Sequence, residues 1–421
     1  MHTHLTPELE AFRETVREFF DTHLTDELKA ARRYMTSVYC DYDSGMAWQR
    51  ILLEQGWLVP SWPKRYGGTG WSLTERYIFD CESAKAGPPP ISPMGLGMLG
   101  PALLGHGTEA QKEYYLPRMQ RGDDFWCQGY SEPQAGSDLA ALECHAERDG
   151  DDYIVNGTKI WTTHAHYANR MFCLVRTGRF ARPQQGVTFL LIDLDSPGVS
   201  RHPIRFFSGD TEQCQVVFEN VRVPQSNVVG KEHEGWAVTK YLLEFERGGK
   251  PAAPTLLQAI VRLRDLAAIS CRSDLGRAKL TCGEPTSPPI AGSPENRDLE
   301  IAPTRARIDM LEIQVRALEA TELRCLAEAK RTGSPGPSAS MQKVRATELS
   351  QEISALAVEA AGKWALPYQP AVIEARGAKP GVGPEETLTV TSFYFNNRAA
   401  TIYGGSNEIQ RNIMAKQVLA L

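Results

Sequence analysis

The sequence of 421 residues lacks several features that would each fix a class of protein. It has no long uninterrupted apolar run, so no membrane-spanning helix is predicted. Residues 1–20 form an amphipathic helical pattern without the apolar centre of a secretory signal peptide. Acidic residues outnumber basic ones by 51 to 46, and a formal net charge of −5 argues against nucleic acid as a partner.

The nine cysteines also lack a pattern, since neither a CxxC pair nor a regular spacing occurs. They are expected to be free, mostly buried thiols in a reduced cytoplasm. No internal repeat and no metal-binding pattern is found. What remains is an ordinary globular composition, 42% hydrophobic and 23% charged, with enough chain for two or three domains.

The apolar pattern changes twice along the chain, from helical to extended and back to helical. In the first third, helical spacing follows Pro7, which a first helical turn tolerates, and Thr108 is placed to cap a later helix. From about residue 125 to 229 the pattern is that of strands. Within it, Asn156-Gly157 is typical of a type I′ turn and predicts a hairpin over residues 153–161.

After Gly235 the chain returns to helical spacing. Long helices are predicted over Arg305–Lys330 and Met341–Leu366, and a last helix is predicted from Asn407. The polar, Pro-rich stretch at 275–303 has little periodicity, so it is predicted to be a loop or a poorly ordered insertion.

Two short motifs indicate a ligand site. The first, QGYSEPQAGSD at 128–138, combines small residues, an acid and a proline in a rigid loop with exposed backbone N–H groups. Such a loop can lie against a planar cofactor and satisfy its polar edge. The second, KIWTT at 159–163, places a large aromatic residue and two hydroxyls on a predicted strand. A role in the core is the plainer alternative for this aromatic residue.

Two further motifs follow in order, FENVRVPQSNVVG at 218–230 and TIYGGSNEIQRNIMAKQVL at 401–419. The four together resemble the acyl-CoA dehydrogenase family over nearly the whole chain. The resemblance implies a mainly α fold with a β middle domain. Its parts would be an N-terminal helical domain at 1–124, a β-barrel-like domain at 125–232 and a C-terminal four-helix bundle at 233–421.

Members of this family use FAD to oxidise an acyl-CoA thioester to its 2,3-enoyl form, and a carboxylate removes the α-proton. In some members the base follows the tyrosine of the C-terminal motif, but here that position is Gly404. In others it directly precedes an arginine in the third domain, which matches Glu246 before Arg247. The resemblance therefore implies Glu246 as the catalytic base. Glu244 competes from another face of the helix, and taken alone the Glu246-Arg247 pair is typical of a helix surface.

Other site residues are implied by matching the family's motifs. The implied cofactor-binding residues are Gln128, Gly129, Tyr130, Ser131, Trp161, Thr163, Ser406 and Glu408. The implied substrate-binding residues are Ser137, Arg247, Tyr403, Gly404 and Gly405. The two glycines let backbone N–H groups approach the thioester oxygen, whose developing negative charge needs preorganised donors.

Two family elements are altered at the ADP end of the cofactor site. The segment RLRDLAAISCRSDLGRAK at 262–279 lacks the arginine before Phe-Gly-x-Pro that reaches FAD across a subunit interface. Glu359 stands where a glutamine would cradle the diphosphate, with Gly362 as the remaining glycine. A carboxylate repels a diphosphate at such a site. The chain therefore resembles the longer subunit of heterotetrameric acyl-CoA dehydrogenases of bacterial steroid or dicarboxylate (pimeloyl-CoA) catabolism. A homo-oligomer that uses other residues is the alternative.

The substrate and the electron acceptor stay open at this point. Gly248, Gly249, Pro251 and Pro254 predict a break after Glu246, which would make room for a bulky acyl group or only let two helices pack closely. The resemblance implies an electron-transfer flavoprotein as the acceptor. One rival is an acyl-CoA oxidase, which would release hydrogen peroxide with the enoyl product. The other is a non-catalytic subunit that stabilises an active partner.

Overall fold

The computed structural model describes residues 5–248, 250–278, 294–332, 336 and 338–419. Its N-terminal helices are α1 (Pro7–His23), α2 (Asp26–Arg33), α3 (Tyr42–Glu54), α4 (Leu73–Ala86), α5 (Gly100–His106) and α6 (Glu109–Arg121). Thr6 and Thr108 cap α1 and α6 by accepting backbone N–H groups, and Gln111 completes a capping box with Thr108. The predicted cap at Thr108 is confirmed.

The middle of the chain forms one seven-stranded sheet. Its strands are β1 (Trp126–Gly129), β2 (His145–Asp149), β3 (Asp152–Thr163), β4 (Arg170–Arg176), β5 (Val187–Asp193), β6 (Val199–Ile204) and β7 (Gln213–Pro224). They are ordered β1-β4-β2-β3-β7-β6, with β5 paired to β4. Most pairs are antiparallel, but β1 runs parallel to β4, with Trp126 opposite Arg170. Apolar residues that alternate along β7 face a core shared with β3, β4 and β5.

The hairpin predicted over residues 153–161 is wrong. Asn156 and Gly157 lie inside the continuous strand β3, and the chain turns instead at residues 150–151, between β2 and β3. Gly157 has a φ of 142°, and a Cβ there would lie 2.7 Å from Cα of Cys144. Asn156 accepts the backbone N–H of Asn220 at a register shift against β7. The dipeptide therefore marks a bulge and a close strand contact.

The C-terminal part is helical again. Its helices are α7 (Gly235–Gly248), α8 (Ala253–Ala278), α9 (Pro294–Thr332), α10 (Ser338–Ala361), α11 (Pro370–Glu374), α12 (Val390–Asn397) and α13 (Asn407–Val418). The predicted break after Glu246 is confirmed, because α7 ends at Gly248 and α8 begins at Ala253. The loop predicted at 275–303 is wrong at both ends, which belong to α8 and α9. Residues 279–293 lie outside the described part of the chain.

Helices α8, α9 and α10 share an apolar core that includes Leu263, Val315 and Ile353. The sequence of helices, sheet and helices is the predicted fold, whereas the domain boundaries at 124 and 232 stay predictions. The cysteines with described side chains are free, and all of them except Cys81 are buried, as expected. Among the described helices, none is both long and apolar enough to cross a membrane.

Candidate active site

A buried ion pair joins the first two motifs in space. Lys159 is 0% exposed, and its Nζ donates to Glu132 Oε1 at 2.7 Å and to the carbonyl of Tyr130 at 3.2 Å. The backbone N–H of Ile160 donates to the carbonyl of Ser131 at 2.9 Å. The 128–138 loop is therefore fastened to β3, the strand that carries KIWTT. Ser131 is half-buried at this junction.

Glu132 also fixes the shape of the 128–138 loop. Its carboxylate accepts the backbone N–H groups of Glu143 at 2.7 Å and Cys144 at 3.0 Å. Burial alone would raise the pKa of Glu132, but the Lys159 ammonium and these N–H donors lower it, so the carboxylate is ionised at neutral pH. The end of the loop stays accessible, because Ser137 is exposed.

Trp161 lies at a bulge in β3 and has a strained backbone. Its φ is 60°, a left-handed value that is costly for a bulky residue, and 54% of the residue is exposed. The bulge arises because the register with β7 shifts between Lys159 and Thr162. An exposed indole held in such a conformation indicates a surface shaped for a ligand.

The polar groups beside Trp161 are enclosed. Thr162 Oγ1 and His164 Nδ1 are buried and have no hydrogen-bond partner among the described residues, and Thr163 between them is 8% exposed. Burial first, and then His166, lower the pKa of His164 to about 4, so its ring is neutral at pH 7. An exposed aromatic face beside unsatisfied polar atoms fits a ring with an apolar face and a polar edge, such as the isoalloxazine of FAD.

Three of the predicted cofactor contacts lie at the end of β1. Gln128 is half-buried, and Gly129 and Tyr130 are buried. A Cβ at Gly129 would lie 2.4 Å from Sδ of Met171, so packing within the sheet requires glycine. The ring of Tyr130 packs edge-on against Phe172, with centroids 5.8 Å apart. Core packing explains both residues, and their contacts with a cofactor stay predictions.

The C-terminal motif forms a tight turn before α13. Gly404 and Gly405 have φ values of 65° and 76°, which favour glycine. Gln410 is 0% exposed and donates to their two carbonyls at 3.2 and 3.3 Å. Ser406 caps α13 by accepting the N–H of Ile409 at 3.4 Å. The turn is therefore preorganised. Gln410, which holds it, was not among the site residues predicted from the sequence motifs.

Tyr403 and Glu408 flank this turn, and both are exposed. Partial desolvation of the phenol, and then the carboxylate of Glu212, raise the pKa of Tyr403 to about 12, although 45% of the residue as a whole is exposed. Glu212 directly precedes Gln213, which pairs with Thr163. The fold thus brings the C-terminal turn near the end of β3, where the KIWTT motif lies.

Besides Glu244, two carboxylates are candidates for the base. Glu246 and Arg247 lie in the last turn of α7, where the structure describes the backbone. Glu212 was missed because no motif marks it; it is 5% exposed, and burial raises its pKa. Its carboxylate accepts the N–H groups of Val38 at 3.1 Å and Tyr39 at 3.3 Å, which ties the α2–α3 connection to the sheet. These bonds give Glu212 a structural task.

The acid at the altered ADP end is already paired. Arg307 on α9 holds the carboxylate of Glu359 on α10 with two hydrogen bonds, one of them at 3.0 Å. This ion pair lowers the pKa of Glu359, and both side chains are about half exposed, at 55% and 54%. Gly362, which follows α10, has a φ of 55°. At this position the structure therefore presents a carboxylate paired with Arg307 instead of a glutamine amide.

An apolar surface, the aromatic face, lies beside these motifs and consists of Phe207, Leu366, Tyr368 and Phe395. Their exposed fractions are 94%, 82%, 57% and 45% respectively. The ring centroids of Phe207 and Phe395 are 6.3 Å apart. Phe206, which precedes Phe207 in the chain, has its ring centroid 6.3 Å from that of Trp161. The aromatic face therefore lies next to Phe206, the residue whose ring is near Trp161 of β3, and exposed apolar surface of this kind marks an interaction site.

Family models cover most of the chain. The acyl-CoA dehydrogenase N-terminal domain model matches residues 6–123, the middle domain model residues 127–221 and the C-terminal domain model residues 303–419. The three matches follow the order of helices, sheet and helices described above.

Similar proteins extend over the whole length. The acyl-CoA dehydrogenase IpdE1 of Mycobacterium tuberculosis is 34% identical and covers 90% of this chain and 89% of its own. The acyl-CoA dehydrogenase FadE26 from the same organism is 31% identical, and the match covers 100% of this chain and 99% of its own. Among solved structures, the ChsE4-ChsE5 complex from M. tuberculosis has a TM-score of 0.78 at 28% identity. The match covers 100% of this chain and 99% of that one. A steroid acyl-CoA dehydrogenase structure, Tcur3481-Tcur3483, has a TM-score of 0.79 at 26% identity. The match covers 100% of this chain and 99% of that one. The chain belongs to the acyl-CoA dehydrogenase family.

Proposed function

We propose that the chain catalyses FAD-dependent α,β-dehydrogenation of an acyl-CoA thioester to the 2,3-enoyl-CoA. The observation that carries the proposal is the buried Lys159–Glu132 pair, which fastens the 128–138 loop to the strand with the exposed, left-handed Trp161. FAD, when bound, accepts the β-hydrogen as a hydride. The protein must then hold the flavin, orient the thioester and remove the α-proton.

Glu246 is the proposed base, and Arg247 supports the CoA side. The α-proton of a thioester is weakly acidic, so a carboxylate acts well only in a dry site that raises its pKa. Glu212 is the structural rival, but its carboxylate is occupied by the N–H groups of Val38 and Tyr39.

The flavin would be held from two sides. Ser131, Trp161 and Thr163, with Gln128, Gly129 and Tyr130, would meet the ring, while Ser406 and Glu408 would meet the phosphate and ribose. Two observations support this division: the left-handed Trp161, and the N-terminus of α13 behind Ser406, where the helix dipole favours an anion.

The thioester would lie between the 128–138 loop and the C-terminal turn. Backbone N–H groups at Gly404 and Gly405 would stabilise charge on the carbonyl oxygen, since Gln410 already fixes both carbonyls. Ser137 would contact the acyl-CoA. Tyr403 would stay protonated at neutral pH, because its pKa of about 12 lies well above it.

A bulky acyl group, steroid-derived or dicarboxylic, is the proposed substrate class. The break between α7 and α8 begins two residues after Glu246 and would make room beside the base. One of the similar structures is described as a steroid acyl-CoA dehydrogenase. The proposed electron acceptor is an electron-transfer flavoprotein, and stoichiometric hydrogen peroxide during turnover would instead identify an oxidase.

A second, related subunit is proposed to complete the FAD site. The ADP-end arginine is missing, Glu359 is engaged by Arg307, and the aromatic face lies exposed beside Trp161. A similar structure is a complex of two chains. A partner that covers this face would bury Phe207 and supply the missing contacts.

The flavin content of the purified chain tests the shared site. We expect little FAD in the chain alone and about one FAD per pair of chains after co-expression with a partner, because each chain carries one half of the site. The visible absorption spectrum, with protein concentration from amino-acid analysis, measures the ratio. One FAD per chain in the lone protein would refute sharing, and addition of acyl-CoA must bleach the flavin of the complex.

The aromatic face gives a sharper test. Phe207→Ser is expected to weaken assembly with the partner by at least about tenfold, because truncation of a large buried aromatic at an interface removes a dominant contact. Size-exclusion chromatography with light scattering and the flavin ratio measure it. Tyr114→Ser, at a 50% exposed tyrosine on α6, is the control that should assemble normally. Equal behaviour of the two variants would place the partner elsewhere.

A further inference from the structure

Helix α8 begins without a cap of its own. Its first residue is Ala253, the preceding Ala252 has no side-chain acceptor, and Pro254 has no N–H. Two N–H groups at the start of the helix are therefore left for another part of the chain to satisfy.

Glu322 on α9 supplies the missing acceptor. Its Oε1 accepts the N–H of Ala252 at 2.8 Å, and its Oε2 accepts that of Ala253 at 3.2 Å. Glu322 is 6% exposed and continues the buried stripe of α9, seven residues after Val315. Burial raises the pKa of Glu322 to about 7 although the two N–H groups lower it, so the ionised form that suits the positive end of a helix dipole is only partly populated at neutral pH. The acid is thus a cap that reaches α8 from a different helix.

The capped residues end the connection that follows the proposed base. Glu246 lies in the last turn of α7, and only residues 249–252 separate that helix from α8. Burial raises the pKa of Asp80 on α4, and the charge of Lys250 in this connection offsets part of that rise. Glu322 thus holds the far end of this connection, four residues after the end of α7.

We propose that Glu322 is a positioning residue for the dehydrogenation: its carboxylate fixes the start of α8 and thereby the end of α7 that carries Glu246. The inference rests on the proposed function. The N–H of Ala253 lies within reach of both oxygens, 3.4 Å from Oε1 and 3.2 Å from Oε2, whereas an amide at this place offers one acceptor and turns an N–H donor towards the backbone N–H groups.

The rate of flavin reduction in the assembled, FAD-loaded complex tests this role. Glu322→Ala is expected to slow reduction by saturating acyl-CoA about 10- to 100-fold, since a misplaced base costs rate. Substrate affinity and flavin content should stay within about twofold. Glu322→Gln keeps the shape and one acceptor, so its rate of flavin reduction should lie between those of wild type and Glu322→Ala. This variant remains informative if the alanine variant does not fold. Hydrogen exchange should show faster opening at Ala252 and Ala253 in both variants.

Glu319→Gln is the matched control. Glu319 lies one turn earlier on α9, pairs with Arg316 at 3.0 Å and makes no bond to the start of α8; its variant should reduce flavin at the wild-type rate. The inference is overturned if Glu322→Ala and Glu322→Gln, per bound flavin, also stay within twofold of wild type. If Glu246→Gln is fully active, the proposed base itself is wrong, so the two failures are distinguishable.

Discussion

Flavin reduction by acyl-CoA is expected to slow by about 10²- to 10⁴-fold when Glu246 is replaced by glutamine, the range that general-base catalysis contributes. The amide keeps the shape of the side chain but cannot accept the α-proton. Anaerobic stopped-flow absorbance of the FAD-loaded complex measures the first turnover, so electron transfer to the acceptor does not enter the rate.

Glu212→Gln and Glu244→Gln separate the three acids. We expect both to retain flavin reduction within about tenfold of wild type, because Glu212 serves the N–H groups of Val38 and Tyr39 and Glu244 lies on another helix face. A complete loss in Glu212→Gln together with an active Glu246→Gln would transfer the catalytic role to Glu212. Loss in none of the three would favour the non-catalytic subunit.

Lys159→Met is expected to remove flavin from the complex and to lower the free energy of unfolding by about 3–5 kcal/mol, the cost of leaving one member of a buried ion pair alone. Glu132 would then be an uncompensated charge, 2% exposed, and only the backbone bond from Ile160 to Ser131 would still hold the 128–138 loop to β3. Thermal unfolding and the flavin absorption measure the two effects.

Two further variants interpret the Lys159 result. Lys29→Met removes a 47% exposed lysine whose ion pair with Asp26 is 3.9 Å long, and it should change the unfolding free energy by less than about 0.5 kcal/mol. The double variant Lys159→Met, Glu132→Leu should recover part of the stability but not the flavin, because the apolar pair no longer holds the loop. Full flavin content in Lys159→Met would refute the role of the pair.

Local patterns predicted the parts of the fold that depend on neighbouring residues. The cap at Thr108, the break after Glu246 and the start of α13 follow from residues within one turn of each feature. Asn156-Gly157 misled because the same dipeptide suits a turn and a bulge, and the choice depends on the close approach of Cys144, which directly precedes β2.

The site contacts that escaped prediction join residues far apart in the sequence. The pairs are Lys159 with Glu132, Arg307 with Glu359, and Glu322 with Ala252. In each pair, the sequence around one residue does not indicate the other as its partner. Motif order implied the region of the site, while the charges that stabilise it become visible only in three dimensions. One signal was available for Glu322, since it continues the heptad spacing of the apolar stripe on α9.

The parallel pairing of β1 with β4 has a consequence for how the protein acquires its cofactor. Residues 126–129 pair with 170–173, so most of the 128–138 loop and all of KIWTT lie in the connection between two parallel neighbours. In such non-local pairing, the chain loses the entropy of closing a long loop before the stabilising contacts form. We therefore expect this pairing to form late and slowly. The loop and strand proposed to meet the flavin are brought together when β1 pairs with β4, so we expect FAD to bind only after the sheet has closed.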